Sequence, residues 1–340
     1  MSAGRNGWTR RGAILALAAA GALALTGVAR AQGDAAWNDT VKKATSEGKV
    51  VLYSVAVPEQ NQRMIDAFEK QYPGIKVSIV RGAGELPPRI AAERSNNVDG
   101  ADVFLYSDPL WFKQNAASLL DLNTPAAATF PSKFWNVPGK SPMLSFPPMG
   151  MLVWNKKTVP GGLKGYDDLL NPAFKGHIGT RQDMTAFLAA FLDWQEQTFG
   201  VDFMKKFGAQ KPKYYPSVVP MTQAVASGEI WIANTSVPSV AKELMKQGAP
   251  IDYVIPKSTF AISWAGGAMS TSKRPNAARL FTNWLMTEPG QLALNGDNDG
   301  GSPLEVKGTL KPSELTVLDL EKYDAAKREE WRKKFKEYFQ

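Results

Sequence analysis

The sequence predicts an α/β protein built as two lobes, and three observations carry that expectation. Its 340 residues, 44% of them hydrophobic, exceed what one core usually fills. Strand-like and helix-like periods alternate in two separate runs. Between the runs lies Asn123–Pro148, punctuated by Pro125, Pro131, Pro138, Pro142 and Pro147 and poor in periodicity, as a crossing between lobes would be.

In the first run, Asn38–Ser46 reads as a short polar helix and Val50-Val51-Leu52-Tyr53 as an apolar strand. Pro58 opens a helix whose Met64, Ile65, Phe68 and Tyr72 fall at helical spacing, and Pro73-Gly74 stops it. Ile75, Val77 and Ile79 alternate as a half-buried strand. Gly82-Ala83-Gly84 leads into a helix with Leu86, Ile90 and Ala91 on one face, and Ala101–Leu105 is the next strand. Strand–helix–strand at this rhythm implies a parallel sheet covered by helices. The second run has strands at Gly150–Trp154, His177–Gly179, Glu229–Ala233 and Ile251–Ile255, and helices at Met184–Thr198, Pro220–Ser227 and Pro238–Lys246. Ser263–Ser270 follows as a strand, and Asn276–Met286 as a helix ended by Thr287-Glu288-Pro289-Gly290. From Glu321 to Gln340 charge is dense, yet Trp331, Phe335, Tyr338 and Phe339 recur as the stripe of a helix packed on a core. Both charge signs are present there, which argues against a membrane-surface helix.

Residues 1–31 read as an export signal. Arg5, Arg10 and Arg11 precede an Ala/Leu/Gly run from Gly12 to Val28, and Ala29-Arg30-Ala31 is a small-x-small cleavage triplet. Thr9-Arg10-Arg11 also resembles a twin-arginine signal. Cleavage removes four arginines and no acid, so the net charge falls from +8 to +4. Nucleic-acid binding thereby loses its main support. The absence of cysteine excludes disulfide scaffolds, thiolate metal sites, thiol nucleophiles and a lipid attached through an N-terminal cysteine. One histidine, His177, leaves little room for imidazole catalysis; no G-x-S-x-G accompanies it, and it reads as structural or exposed. Asp297-Asn-Asp-Gly300 lacks the downstream glutamate of a calcium loop and reads as a turn.

Several colinear stretches carry a family resemblance. Lys49-Val-Val-Leu-Tyr-Ser54, Ala67-Phe-Glu-Lys-Gln-Tyr-Pro-Gly-Ile-Lys-Val77, Gly82-Ala-Gly-Glu-Leu-Pro-Pro-Arg-Ile-Ala-Ala-Glu93 and Ala101-Asp-Val-Phe104 come in order. Gln223-Ala-Val-Ala-Ser-Gly-Glu229, Asn276-Ala-Ala-Arg-Leu-Phe281 and Glu288-Pro-Gly-Gln291 complete them. The chain resembles the periplasmic solute-binding proteins of ABC importers, type II, in the ferric-binding-protein-like cluster. The resemblance implies two α/β lobes joined by two crossing strands: lobe one from 32–148 plus 260–340, lobe two from 149–259. It implies a monomer, free in the periplasm, that closes over a small solute and presents it to an inner-membrane permease, with neither enzymatic activity nor a cofactor. A secreted hydrolase on the same scaffold is the alternative from another class.

In the ferric-binding relatives, iron is held by a histidine after the first strand, an acid after the third, and adjacent tyrosines in lobe two. Here no histidine follows Ser54, Asp108 in Tyr106-Ser107-Asp108 can match the acid, and the expected tyrosine positions read Asn234-Thr235-Ser236. Tyr214-Tyr215 is an adjacent pair placed before the preceding helix, open to packing at the cleft edge or to metal ligation. An anionic or polar organic solute fits better. Thr180-Arg181 follows a strand and Thr185 opens a helix, a setting for phosphate, phosphonate or carboxylate; Arg181 equally fits a surface salt bridge. Ser217, Thr235 and Ser236 from lobe two, with Ser54 and the Gly82–Gly84 turn from lobe one, are candidate donors. Trp111 and Trp264 are candidate aromatic walls.

Overall fold

The computed structural model describes Met1 and residues 35–82, 84–257 and 259–339. The expected signal lies outside the described residues apart from Met1, as do Ala83 and Gln340. A helix over 35–47 (α1) leads to β1 (Lys49–Ser54), α2 (Pro58–Gln71), β2 (Lys76–Arg81), α3 (Leu86–Ser95) and β3 (Val103–Tyr106). Strands β2, β1 and β3 are parallel neighbours, as the alternation requires. Val50 and Leu52 face one core, where Phe68 and Met64 of α2 pack, while Tyr53 faces another with Leu86 and Ile90 of α3. Both faces are covered, which is why the strand reads as a continuous apolar run.

The segment Asn123–Pro148 is more than a crossing. After α4 (Pro109–Gln114) it holds α5 (Pro125–Thr129), β4 (Trp135–Val137) and β5 (Ser141–Ser145), and the two strands complete the first sheet, in which β2, β1 and β3 are followed by the returning strand Trp264–Ala268 and then by β5 and β4. Its prolines sit where they cost little: Pro125 occupies the first turn of α5, whose Thr124 hydroxyl accepts from the Ala127 amide. Alternation is hidden in β5 because residues on both faces are buried.

The second sheet is built from β6 (Leu152–Asn155), β7 (Ile178–Arg181), β8 (Lys213–Tyr215), β9 (Ile232–Ala233) and β10 (Ile251–Val254), in the order β10-β6-β9-β7-β8. Helices α6 (Ala186–Phe199), α7 (Val201–Ala209), α8 (Val218–Ser227) and α9 (Pro238–Lys246) accompany it. The chain returns through β11 (Phe260–Ala261) to β12 (Trp264–Ala268), which pairs antiparallel with β3 and β5. It continues into α10 (Pro275–Leu285) and α11 (Glu288–Asn295). Glu288-Pro289-Gly290, expected to end a helix, opens α11, because proline in a first turn lacks only an amide that would have no helical partner anyway.

The C-terminal segment departs from the expected lobe boundary. β13 (Thr316–Val317) pairs with β11 at the hinge, and α12 (Ala325–Phe339) then packs on α6 and α7 of lobe two. Trp331, Phe335 and Tyr338 are buried along the expected stripe. Gly208 of α7 lets this happen, since a Cβ there would overlap the Tyr338 carbonyl. The hinge thus has a third crossing beside the two expected ones. The Met149 and Gly150 amides donate to the Phe260 carbonyl at 2.8 and 3.3 Å, and Phe260 and Ala261 register against Thr316 and Val317.

Candidate functional site

Between the lobes lies a cavity of about 750 Å³. Its walls are loops after strand C-termini and the starts of helices, the places where a doubly wound sheet binds ligands. Lobe one contributes Val55 after β1, Gly84 and Glu85 after β2, Tyr106 at the end of β3, and Ser107 and Asp108 after it. Lobe two contributes Arg181 at the end of β7, Thr185 and Phe187 at the start of α6, and Ser217 at the start of α8. Trp264 and Met149 stand at the crossings, and Leu320 and Arg328 come from the C-terminal segment.

Arg181 is held rather than mobile. Its Nη2 donates to the Pro216 carbonyl at 3.1 Å, and its guanidinium lies 5.0 Å from the Phe187 ring centroid. It forms no ion pair among the described residues, and its buried Nε has no hydrogen-bond partner. Burial lowers the affinity of this guanidinium for its proton, with Asp183 working in the opposite direction. A side chain that stays charged, half-solvated and one bond short is a ready partner for an anion. Ser217 precedes α8 without capping it, so its hydroxyl is available, whereas the Thr185 hydroxyl accepts from the Leu188 amide at 3.2 Å.

Asp108 opens toward the cavity while its carboxylate caps α4, accepting from the Leu110 amide at 3.0 Å. The surrounding protein raises its carboxyl above the ordinary range, and the Leu110 and Trp111 amides only partly offset this. Tyr106 stacks on Phe104 at 5.0 Å, and burial keeps its hydroxyl protonated beyond the usual range. Trp264 is 7% exposed and its Nε1 has no partner. Trp111 instead meets Phe104 edge-on at 4.8 Å, off the lining.

Four further expected site residues are not on the lining. Ser54 Oγ accepts from the Ala56 amide at 3.1 Å, and Thr180 Oγ1 accepts from Asn234 Nδ2 at 3.0 Å. Thr235 Oγ1 donates to the Met149 carbonyl at 2.5 Å, and the Ser236 and Thr222 hydroxyls share a bond of 2.7 Å. These buried hydroxyls need internal partners, and they knit the layer beneath the cleft floor instead of facing it. Tyr214 and Tyr215 also point elsewhere: their hydroxyls donate to the Phe339 carbonyl at 3.2 Å and to Glu229 at 2.7 Å. His177 stacks on Trp231 at 3.8 Å. Among the described residues no cluster of three or more His, Asp or Glu side chains could hold a metal ion, and no helix is long and apolar enough to cross a membrane. Arg81, which ends β2, escaped sequence reasoning although the strand-end rule could have found it; Arg328 and Leu320 carried no such signal.

Residues 63–303 match the family model described as bacterial extracellular solute-binding protein. The chain belongs to that family. No curated protein matches this solute-binding protein by sequence. Solved structures do match it in fold. The substrate-binding protein of an ABC transporter from Agrobacterium tumefaciens is 20% identical, with a TM-score of 0.71 over 86% of this chain and 94% of that one. The periplasmic binding protein AfuA from Actinobacillus pleuropneumoniae, with exogenous fructose-6-phosphate bound, is 20% identical, with a TM-score of 0.64 over 86% and 98%. Iron-bound HitA from Pseudomonas aeruginosa is 19% identical, with a TM-score of 0.57 over 83% and 98%. These are two-lobed type II periplasmic binding proteins, and the solute-binding protein described here has that fold.

Proposed function

We propose that this solute-binding protein is the periplasmic component of an ABC importer and captures a small anionic organic solute bearing phosphate, phosphonate or carboxylate. The observation that carries the reading is Arg181, a cleft-facing guanidinium with an unpartnered buried Nε and no ion pair, set between the starts of α6 and α8. Helix-start amides and a guanidinium are complementary to an anion, and the Ser217 and Ser107 hydroxyls can complete its bonds from the two lobes. Trp264 offers an aromatic wall to the remainder of the solute. The cavity is large enough for a sugar-sized molecule, and the sugar phosphate carried by AfuA is consistent with that chemistry. A solute touching both lobes favours their closed arrangement, the form a permease would recognise.

The test is native mass spectrometry of freshly purified protein to identify a retained solute, followed by calorimetric titration of that solute into wild type and Arg181→Gln. Charge-assisted hydrogen bonds are worth about 1.5–3 kcal/mol, so affinity should fall about 10- to 150-fold. Unchanged affinity would remove Arg181 from the site. A ferric-binding role would need phenolate ligands, and it would be recovered if the protein developed a visible charge-transfer band with ferric citrate.

A further inference from the structure

A smaller cavity of about 200 Å³ adjoins the main cleft. Val57, Arg81, Val219, Ser239 and Val240 line both, so the two spaces share a passage. The walls of this side chamber come from different lobes: the start of α2 on one side, α8 and α9 on the other. It is therefore complete only while the lobes are together. The surface it presents is mostly apolar, with Val57, Val219, Val240 and Leu244 among its walls. Its charged side chains each have a protein partner. Glu59 pairs with Lys246, the Glu243 carboxylate accepts from Gln247 Nε2 at 2.7 Å, and Arg81 Nε donates to the Ala56 carbonyl at 3.2 Å.

The passage lies beside the anion's place. Arg181 Nη2 donates to the Pro216 carbonyl, Ser217 follows at the start of α8, and Val219, two residues on, lines both spaces. An anion held by Arg181 and Ser217 is thus within one helical turn, about 5.4 Å, of Val219. Water in an apolar pocket lacks hydrogen-bond partners, so an apolar group that displaces it binds favourably. We propose that the solute carries an apolar arm on its anionic head, and that the arm occupies this side chamber, where closure of the lobes buries it. This rests on the anion reading above and adds the solute's second chemical character to it.

Calorimetric titrations of the whole protein with two homologous series test this: methyl-, butyl- and hexylphosphonate, and propanoate, hexanoate and octanoate. Within the series whose head group fits, affinity should rise about two- to fourfold per methylene until the chamber is filled. Gln223 and Leu244 line the chamber but not the main cavity, and Gln223 is exposed on α8. Gln223→Trp and Leu244→Trp should therefore bring the longest homologue down to the affinity of the shortest, with the shortest itself unchanged within about twofold. An unshifted thermal midpoint in Gln223→Trp shows that the fold is intact. If affinity is independent of chain length, or keeps its gain in both tryptophan variants, the side-chamber proposal fails while the anion reading stands. If Arg181→Gln leaves the affinity of the short homologues unchanged, the anion reading fails instead. A wild-type protein that binds no member of either series would overturn both.

Discussion

Replacing Lys242 by methionine keeps the aliphatic stem of the side chain and deletes a charge that ties the two lobes together. Lys242 lies on α9 of lobe two. Its ammonium donates to Asp299 Oδ1 at 3.2 Å, to Asp297 Oδ2 at 3.0 Å and to the Asp297 carbonyl, all in the turn after α11 of lobe one. Burial works against the ammonium, yet these bonds hold its pKa above that of an ordinary lysine. The two arms differ in worth. Asp297 is 71% exposed and its ion pair contributes a few tenths of a kcal/mol at most, on the scale of exposed pairs. Asp299 is 1% exposed, but Arg63 Nη2 at 2.7 Å still compensates it after the substitution. The net loss is therefore about 1–2 kcal/mol, below the full value of a buried charge-assisted bond. At 1.4 kcal/mol per factor of ten, that shifts the balance toward open lobes by about 5- to 30-fold. The chain has no cysteine, so Val98→Cys in lobe one and Val201→Cys in lobe two accept spin labels at exposed positions. Pulsed dipolar distances between them should lengthen in Lys242→Met without ligand. An unchanged distance distribution would refute the argument that this turn holds the lobes together.

Three further outcomes are expected. Asp102 is fully buried and accepts from the Val51 amide at 2.7 Å, Ser272 Oγ at 2.6 Å and Arg274 Nε at 2.8 Å, so Asp102→Ala should cost about 3–5 kcal/mol in urea unfolding; a loss below 1 kcal/mol would contradict the role given to this tie. Gly208→Ala should push α12 off α7, costing about 1–3 kcal/mol and exposing the tail to protease, as limited digestion followed by mass spectrometry would report. Burial, with donation from Tyr53 Oη to Glu93 at 2.6 Å, pushes the Tyr53 phenol up to about 12, against about 10 in the unfolded chain. Its contribution is complete below pH 10 and is lost as pH rises toward 12, so Tyr53→Phe should flatten the fall of stability in that window relative to wild type.

Where local period and burial coincide, the sequence was informative. Val50–Tyr53, the Met64–Phe68 face and Pro238–Lys246 appear in the structure close to where their patterns put them. Patterns that say only that a face is buried do not name its partner. The stripe of α12 was legible, but its seat on lobe two depends on Gly208 and on a crossing of two residues, Thr316-Val317, too short to carry a period. The strand-end rule located the cleft loops but not which neighbour faces it: Thr180 and Arg181 are adjacent, and consecutive side chains on a strand leave on opposite faces. The rule therefore returned Arg181, which lines the cavity, and Thr180, which supports Asn234 from behind. Arg328 reaches the cleft only through helix packing, which no spacing in its own segment records.

The three crossings run side by side through Met149–Gly150, Phe260–Ala261 and Thr316–Val317, joined by backbone hydrogen bonds and register pairing. A ribbon of bonded strands flexes readily along its length but resists shear within its plane, because sliding one strand past the next breaks every bond between them at once. The pairing therefore opposes sliding of one crossing past another and leaves a swing of the lobes about the ribbon as the easier motion. Such a swing returns the residues of the two walls to the same facing positions on each cycle of capture and release.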